Sequence, residues 1–311
     1  MPGPDAAAVA PAPAIASASR ITDWVTLLKP RVLSLVLFTA VIGLILAPGQ
    51  LDPVRGALAL LSIAAGAGAA GALNMWYDRD IDALMRRTSR RPIPAGRIGP
   101  AAALSYGLVL AVASVVVLGL VTNIAAASAL AGSIAFYMAI YTMWLKRTTP
   151  QNIVIGGAAG ALPPVIGWLA VTGRIDLLPL LLFAIVFFWT PPHFWSLSLW
   201  SHADYERAGV PMLPVVAGAR ATRRHIFAYS ILLAALTLLP WVLQLAGPVY
   251  GSAAAGLGVG FVSRAWLVLH DRQDADGTSQ TRDAPARKLF KYSILYLFAL
   301  FAALAIDHFV Q

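Results

Sequence analysis

Apolar runs recur along almost the whole chain, at roughly 32–48, 56–77, 101–121, 124–144, 153–172, 177–200, 225–245, 247–269 and 289–306. Most reach the roughly 17–25 residues that a helix needs to cross a bilayer. Backbone in lipid must satisfy its own hydrogen bonds, so only helices and closed barrels can span. The runs lack the short alternation of barrel strands. The expected fold is all-α: a polytopic membrane bundle of about nine transmembrane helices. Composition agrees, with 59% of residues hydrophobic and 12% charged, where soluble domains carry about a quarter charged.

Nine spans put the N-terminus and the loops after spans two, four, six and eight on one side. That side holds Lys29, Arg31, the arginines of 79–97, Lys146, Arg147 and the basic residues of 207–224 and 272–291. The other side has Arg55, Arg174 and little else. By the positive-inside bias, the basic side is cytoplasmic and the C-terminus lies across a bacterial inner membrane. Topology then accounts for most of the formal charge of +9, and no nucleic-acid partner is expected. A basic face of this kind attracts membrane lipid and phosphorylated ligands. The chain has no cysteine, which excludes disulfides and thiolate metal sites. Residues 1–20, rich in Ala, Pro and Ser, read as a disordered cytoplasmic tail, and 21–311 as one membrane domain.

The second apolar run ends in Asn74-Met-Trp-Tyr-Asp78-Arg-Asp80-Ile-Asp82, followed by an arginine burst through Arg91. Carboxylates at a membrane boundary are costly and mark function by default. At about 100° per residue, Asn74, Asp78 and Asp82 fall within roughly 80° of arc on one helix face. An amide and two carboxylates suit Mg²⁺, which shares one or two carboxylates with substrate phosphate. Nearby arginines, Arg87 and Arg91 among them, suit phosphate oxygens. Asp80 lies about 160° from Asp82 and is expected to pair with Arg79 or Arg86.

Three further basic-side segments stand out. Lys146 and Arg147 end the fourth span, where they can neutralise leaving-group charge, and Asn152 opens the fifth, whose N-terminal amides suit an anion. The glycines of that fifth span fit close helix packing and a substrate cavity equally well. Pro191 and Pro192 are expected to kink the sixth span beside His193, an ionisable group at membrane depth. Eleven residues separate His193 from Asp204, so a continuous helix would put both on one face. The loop His270–Asp283 reads as a solvated linker, because the terminal glutamate of a calcium loop is missing.

These motifs resemble the UbiA superfamily of intramembrane prenyltransferases over residues 21–308. The resemblance rests on Asn74-x-x-x-Asp78-x-x-x-Asp82, with Asp82-x-x-Met85-x-Arg87-Thr88-x-x-Arg91-Pro92 as its extension. Leu145-Lys146-Arg147-Thr148-x-x-x-Asn152-Ile153, Pro191-Pro192-His193-Phe194-Trp195 and Asp204-Tyr205-x-x-Ala208-Gly209-x-Pro211-Met212-Leu213-Pro214 point to its heme-farnesylating branch. That resemblance implies farnesyl diphosphate as donor, heme b as acceptor, Mg²⁺ as cofactor and heme O as product. It also implies a heme A synthase or an oxidase-assembly factor as partner. Asn74, Asp78 and Asp82 would hold the metal; Arg87, Arg91, Lys146, Arg147 and Asn152 would bind diphosphate; Asp204 and His193 would serve the acceptor side. Trp76, Tyr77, Trp189 and Trp195 are expected to face an allylic cation. Quinone-type members carry further aspartates near the positions of His193 and Trp200. Here only Asp204 of that set is acidic, which argues against an aromatic-acid acceptor.

Overall fold

The computed structural model describes residues 19–275 and 277–311. All but the last two residues of the expected tail, 1–20, lie outside the described residues. Helix α1 (Ile21–Leu27) meets α2 (Pro30–Leu46) at a 53° bend. Then come α3 (Pro53–Tyr77), the short α4 (Arg79–Leu84), α5 (Pro100–Val121) and α6 (Ile124–Ala135). The last of these runs on as a π-helical stretch, Phe136–Leu145, into α7 (Lys146–Thr148). Helices α8 (Asn152–Ala161) and α9 (Pro163–Thr172) together make one span. They lead to α10 (Leu177–Trp200), α11 (His202–Arg207), α12 (Leu213–Val216), α13 (Gly218–Val242), α14 (Pro248–Leu269) and α15 (Ala284–Val310). Among the described residues eight helical spans are long and apolar enough to cross a membrane, and the bent α1–α2 pair makes nine. The chain is an integral membrane protein, with the helix count its apolar runs imply.

Local chemistry sets where the helices begin. Pro30, Pro53, Pro100 and Pro248 sit at the first turn, where a missing N–H costs nothing. Asp52 accepts from Val54 and Arg55 N–H at the start of α3, and Asn123 accepts from Ala126 N–H at the start of α6. The spans at Pro53–Tyr77 and Asn152–Thr172 are 61% and 67% buried, while that at Ile124–Thr148 is 17%. The first two are therefore central, and the third faces lipid along most of its length.

Glycines of the fifth span serve both purposes the sequence left open. A Cβ at Gly167 would stand 2.1 Å from the Ala40 carbonyl oxygen, and one at Gly43 2.0 Å from that of Pro164. Helices α2 and α9 thus touch backbone to backbone, which only glycine permits. Gly160 has nothing within 4 Å of a built Cβ and lines a cavity.

Two expectations need correction. Helix α10 continues through Pro191 and Pro192, and a break that the sequence does not signal falls at Ser201. His193 and Asp204 consequently sit on separate helices and share no continuous face. The loop after α14 is solvated at Arg272, Thr278, Gln280 and Arg282, but it is more than a linker. It wraps the guanidinium of Arg223, which is 1% exposed and donates to Gly277 O and to Asp283 at 2.9 and 2.8 Å. Asp271 lies 3.7 Å from the same group and accepts from Ser279 and Thr281. A buried guanidinium needs such partners, so it orders the loop around itself.

Candidate active site

The amide–carboxylate–carboxylate face forms as helix arithmetic requires. Asp78 N–H donates to Asn74 O, and Asp82 N–H to Asp78 O, so helical turns continue across the junction of α3 and α4. The three side chains are 3%, 0% and 1% exposed. Burying two carboxylates is tolerable only with cations against them. The Lys146 ammonium bonds Asp78 Oδ2, and Arg91 donates to Asp82 Oδ2 at 2.6 Å.

The π-helical stretch brings Lys146 there. Thr142 bonds Asn74 and Lys146 bonds Asp78 at the same sequence offset, so the two helices run parallel and in register at this end. The Thr142 hydroxyl also donates to Tyr137 O, five residues earlier, within this wider-wound stretch. Arg147, next along, grips Asp80 with two bonds of 2.8 Å and lies over the Tyr77 ring. The Asp80 partner is therefore not Arg79 or Arg86, as local spacing suggested. Arg79 instead donates to Trp76 O. The Arg147 bonds pull the Asp80 carboxyl down to about 2.

One cation escaped the sequence reading. Lys29, in the bend between α1 and α2, donates to Asn74 Oδ1 at 2.7 Å. Its backbone is left-handed, φ 54° and ψ 59°, which costs an L-residue about 1–2 kcal/mol. Its stem packs beside Gly71, where a Cβ would lie 3.4 Å from Lys29 Cδ. Lys29 and Tyr137 also stand at the polar end of an apolar cavity lined by Ile63, Leu130, Gly160 and Ile166. The aromatic side chains on that cavity are thus not the tryptophans the sequence suggested. Trp189 is bonded to Ser293 O and stacked on His193, and Trp195 is packed in the core. Trp76 and Tyr77 lie under Arg79 and Arg147.

The remaining candidates are placed as follows. Arg87 is exposed and has no carboxylate partner among the described residues. Asn152 is fully buried, with its amide N–H given to Thr149 O and its Oδ1 unpartnered. Asp204 pairs with Arg207 at 3.2 Å. Its neighbour Tyr205 packs in one cluster with Ile81, Met85, Ile153 and Met212, which draws the second acidic segment against the first. His193 is sandwiched between Trp189 and Phe290, and its Nδ1 meets Ser293 Oγ at 2.7 Å.

A divalent cation fits this donor set. Asp78 Oδ1 and Asp82 Oδ1 are buried and have no hydrogen-bond partner, an expensive state for carboxylate oxygens unless something is meant to meet them. Among the described residues no three His, Cys, Asp or Glu side chains gather closely enough to enclose an ion. Two carboxylates and one amide would leave the other positions to water or substrate phosphate, the usual arrangement for Mg²⁺.

Residues 36–295 match the UbiA prenyltransferase family. The chain belongs to that family. A protoheme IX farnesyltransferase of Granulibacter bethesdensis is 67% identical over 298 residues, covering 96% of this chain and 93% of the relative. One of Acidiphilium cryptum is 64% identical over 93% of this chain and 91% of the relative. Among solved structures, a digeranylgeranylglyceryl phosphate synthase superposes with a TM-score of 0.75 at 17% identity, covering 94% of this chain and 99% of that one. A UbiA homologue from Archaeoglobus fulgidus, bound to GPP and Mg²⁺, gives 0.68 at 19% identity, covering 91% and 99%. At those identities the likeness extends to the fold.

Proposed function

We propose that this prenyltransferase moves the farnesyl group of farnesyl diphosphate onto a vinyl group of heme b, with addition of water, giving heme O and diphosphate. The observation that carries the reading is the pair of carboxylate oxygens without a hydrogen bond, Asp78 Oδ1 and Asp82 Oδ1, among cations of which one, Lys29, also lines an apolar cavity. The names of the relatives at 67% and 64% identity support the donor and the acceptor. Asn74, Asp78 and Asp82 would hold Mg²⁺, an ion bound with GPP in the A. fulgidus homologue of the same fold. Bound there, the ion supplies Lewis-acid stabilisation of the departing diphosphate.

The chain's own groups do the rest. Arg87, Arg91, Lys146 and Arg147 take up the charge that develops as the allylic C–O bond breaks. Asn152 adds an amide at the start of α8. The cavity sheathes the farnesyl tail from water, and Tyr137 offers its ring to the allylic cation. Asp204 organises the water that quenches the cation left after the vinyl group attacks.

His193 handles the heme. Ser293 Oγ donates to Phe290 O at 2.7 Å, so it accepts from His193 Nδ1–H. That bond fixes the tautomer with a lone pair on Nε2, the form that ligates iron. The active site opens on the cytoplasmic side of the inner membrane, which delivers product toward terminal-oxidase assembly.

Purified protein incubated with farnesyl diphosphate, heme b and Mg²⁺ should yield heme O by mass analysis. A product formed only with a quinone precursor or another tetrapyrrole in place of heme b would overturn the acceptor assignment.

A further inference from the structure

The ligand set contains an imbalance of atoms. Each carboxylate has one oxygen bonded to a cation and a second without a hydrogen bond: Asp78 Oδ2 bonds Lys146 and Asp82 Oδ2 bonds Arg91, while neither Oδ1 is hydrogen-bonded and Asp78 Oδ1 meets Arg147 only at 3.7 Å. Asn74 has a single oxygen, and Lys29 holds it at 2.7 Å. The amide nitrogen is equally committed, to Asp78 Oδ2 and Thr142 Oγ1. The amide cannot turn over to offer a different oxygen, because it has none, and a flip would aim N–H groups at the ammonium. A metal can therefore reach both carboxylates as they stand, whereas at Asn74 it would share the one oxygen with the Lys29 ammonium, whose like charge opposes it even though a second lone pair remains.

Lys29 is built to hold that place and to leave it. Its backbone is pinned in the left-handed conformation by Lys29 N–H to Thr26 O and by Val32 N–H to Lys29 O. The stem lies along the Gly71 backbone, one turn before Asn74. No carboxylate bonds its ammonium among the described residues, so its nearest fixed anchor is a neutral amide. Its head stands where the cavity meets the cations, the position a diphosphate would take on the reading above. A charge-assisted bond to phosphate is stronger than one to an amide oxygen, so a diphosphate would draw the ammonium off Asn74.

We infer that Lys29 is a resident stand-in for the metal on Asn74, released by the diphosphate, so that metal and diphosphate load the site together. This inference rests on the assignment of Asn74, Asp78 and Asp82 as the metal ligands. Its consequence is a coupling of stated sign. Each ligand tightens the other because both displace Lys29 from the amide, and the coupling is reciprocal. A bare ion meets competition at Asn74, whereas an ion arriving with diphosphate does not.

The test is Mn²⁺ binding to the detergent-purified full chain, read by electron paramagnetic resonance, alone and with a farnesyl diphosphonate analogue. Wild type should bind Mn²⁺ alone weakly, and about tenfold tighter with the analogue, within the usual range for linked sites. Lys29→Met should bind Mn²⁺ alone about tenfold tighter than wild type and gain less from the analogue than wild type does, the remaining gain coming from phosphate oxygens on the ion itself. In EDTA the same variant should bind the diphosphonate less tightly than wild type. Lys29→Gln, which keeps a donor for Asn74 but no charge, serves if the methionine variant does not purify, and should also gain less from the analogue. Arg86→Gln removes an exposed cation that touches no ligand, and should leave Mn²⁺ affinity near wild type. Unchanged Mn²⁺ affinity and full coupling in the Lys29 variants would overturn the inference, as would an equal gain in Arg86→Gln. If Asp82→Asn placed on Lys29→Met still binds Mn²⁺, the metal-ligand assignment itself fails, a distinct result.

Discussion

Removing Lys146 should expose how the buried carboxylates are held. Asp78 is 0% exposed and the lysine side chain that faces it 13%. Breaking a buried pair from one side strands the other charge, at about 3–5 kcal/mol. Here Asn74 Nδ2 still donates to Asp78 Oδ2 at 2.7 Å, and Arg147 lies 3.7 Å from Oδ1. Lys146→Met should therefore fall at the low end, about 3 kcal/mol. At roughly 2–4 °C per kcal/mol for a chain this long, the midpoint drops by about 6–12 °C. Asp78→Asn added to Lys146→Met removes the stranded charge and should restore most of that loss, since a matched replacement of both partners is near neutral. The assay is thermal unfolding in detergent by tryptophan fluorescence, with EDTA present so that no metal takes the lysine's part. Turnover should separate from stability. Lys146→Met should lose about 10²–10³ in kcat, as for one preorganised charge on a leaving group, and the double variant should be no more active. A Lys146→Met protein as stable as wild type would refute the argument, and so would a double variant no more stable than the single.

Asp82→Asn should abolish turnover while the protein still inserts and elutes as wild type; EDTA should do the same to the wild type, and added Mg²⁺ should reverse only the latter. His193→Ala should change the absorption spectrum and affinity of bound heme b while leaving diphosphonate binding intact, and unchanged heme binding would remove its proposed role. Gly167→Ala should cost at least about 1–3 kcal/mol, because its Cβ would meet backbone at 2.1 Å and α2 and α9 must part; a midpoint equal to wild type would show that these helices slide freely. The Asp80–Arg147 pair should be silent near neutrality. Its carboxyl is held at about 2, below the ordinary value, so its contribution is present above pH 4 and is lost as pH falls through about 2; unfolding midpoints of Asp80→Asn and wild type should differ by a constant amount between pH 5 and 8.

What the sequence makes legible follows from how each signal is encoded. Asn74, Asp78 and Asp82 lie four apart on one helix, so their common face is local information, and it survives the break between α3 and α4 because the Asn74–Asp78–Asp82 backbone bonds persist. Span count and the cation excess at one end are likewise sums over local composition. Partners are different. Lys29 lies 45 residues from Asn74, and Arg147 67 from Asp80. Helical periodicity says which way a side chain points, not which helix stands opposite. The Lys29 case could have been narrowed: a lysine just before Pro30, next to a glycine-rich span ending in acids, is a cation with a backbone reason to be fixed. The Asp80 assignment failed for a sharper reason. Local spacing offered Arg79 and Arg86 as neighbours, but the π-helical stretch delivers Arg147 with both guanidinium nitrogens aligned on the carboxylate, and a bidentate pair outcompetes a single exposed contact. The same stretch seats Lys146 on Asp78 and Thr142 on Asn74, so one irregular segment of the fourth span places two of the site's cations, Lys146 and Arg147, while Arg91 and Lys29 come from other segments. It follows that inserting or deleting one residue within Phe136–Leu145 would shift these partners off the acids together, where a point substitution shifts only one.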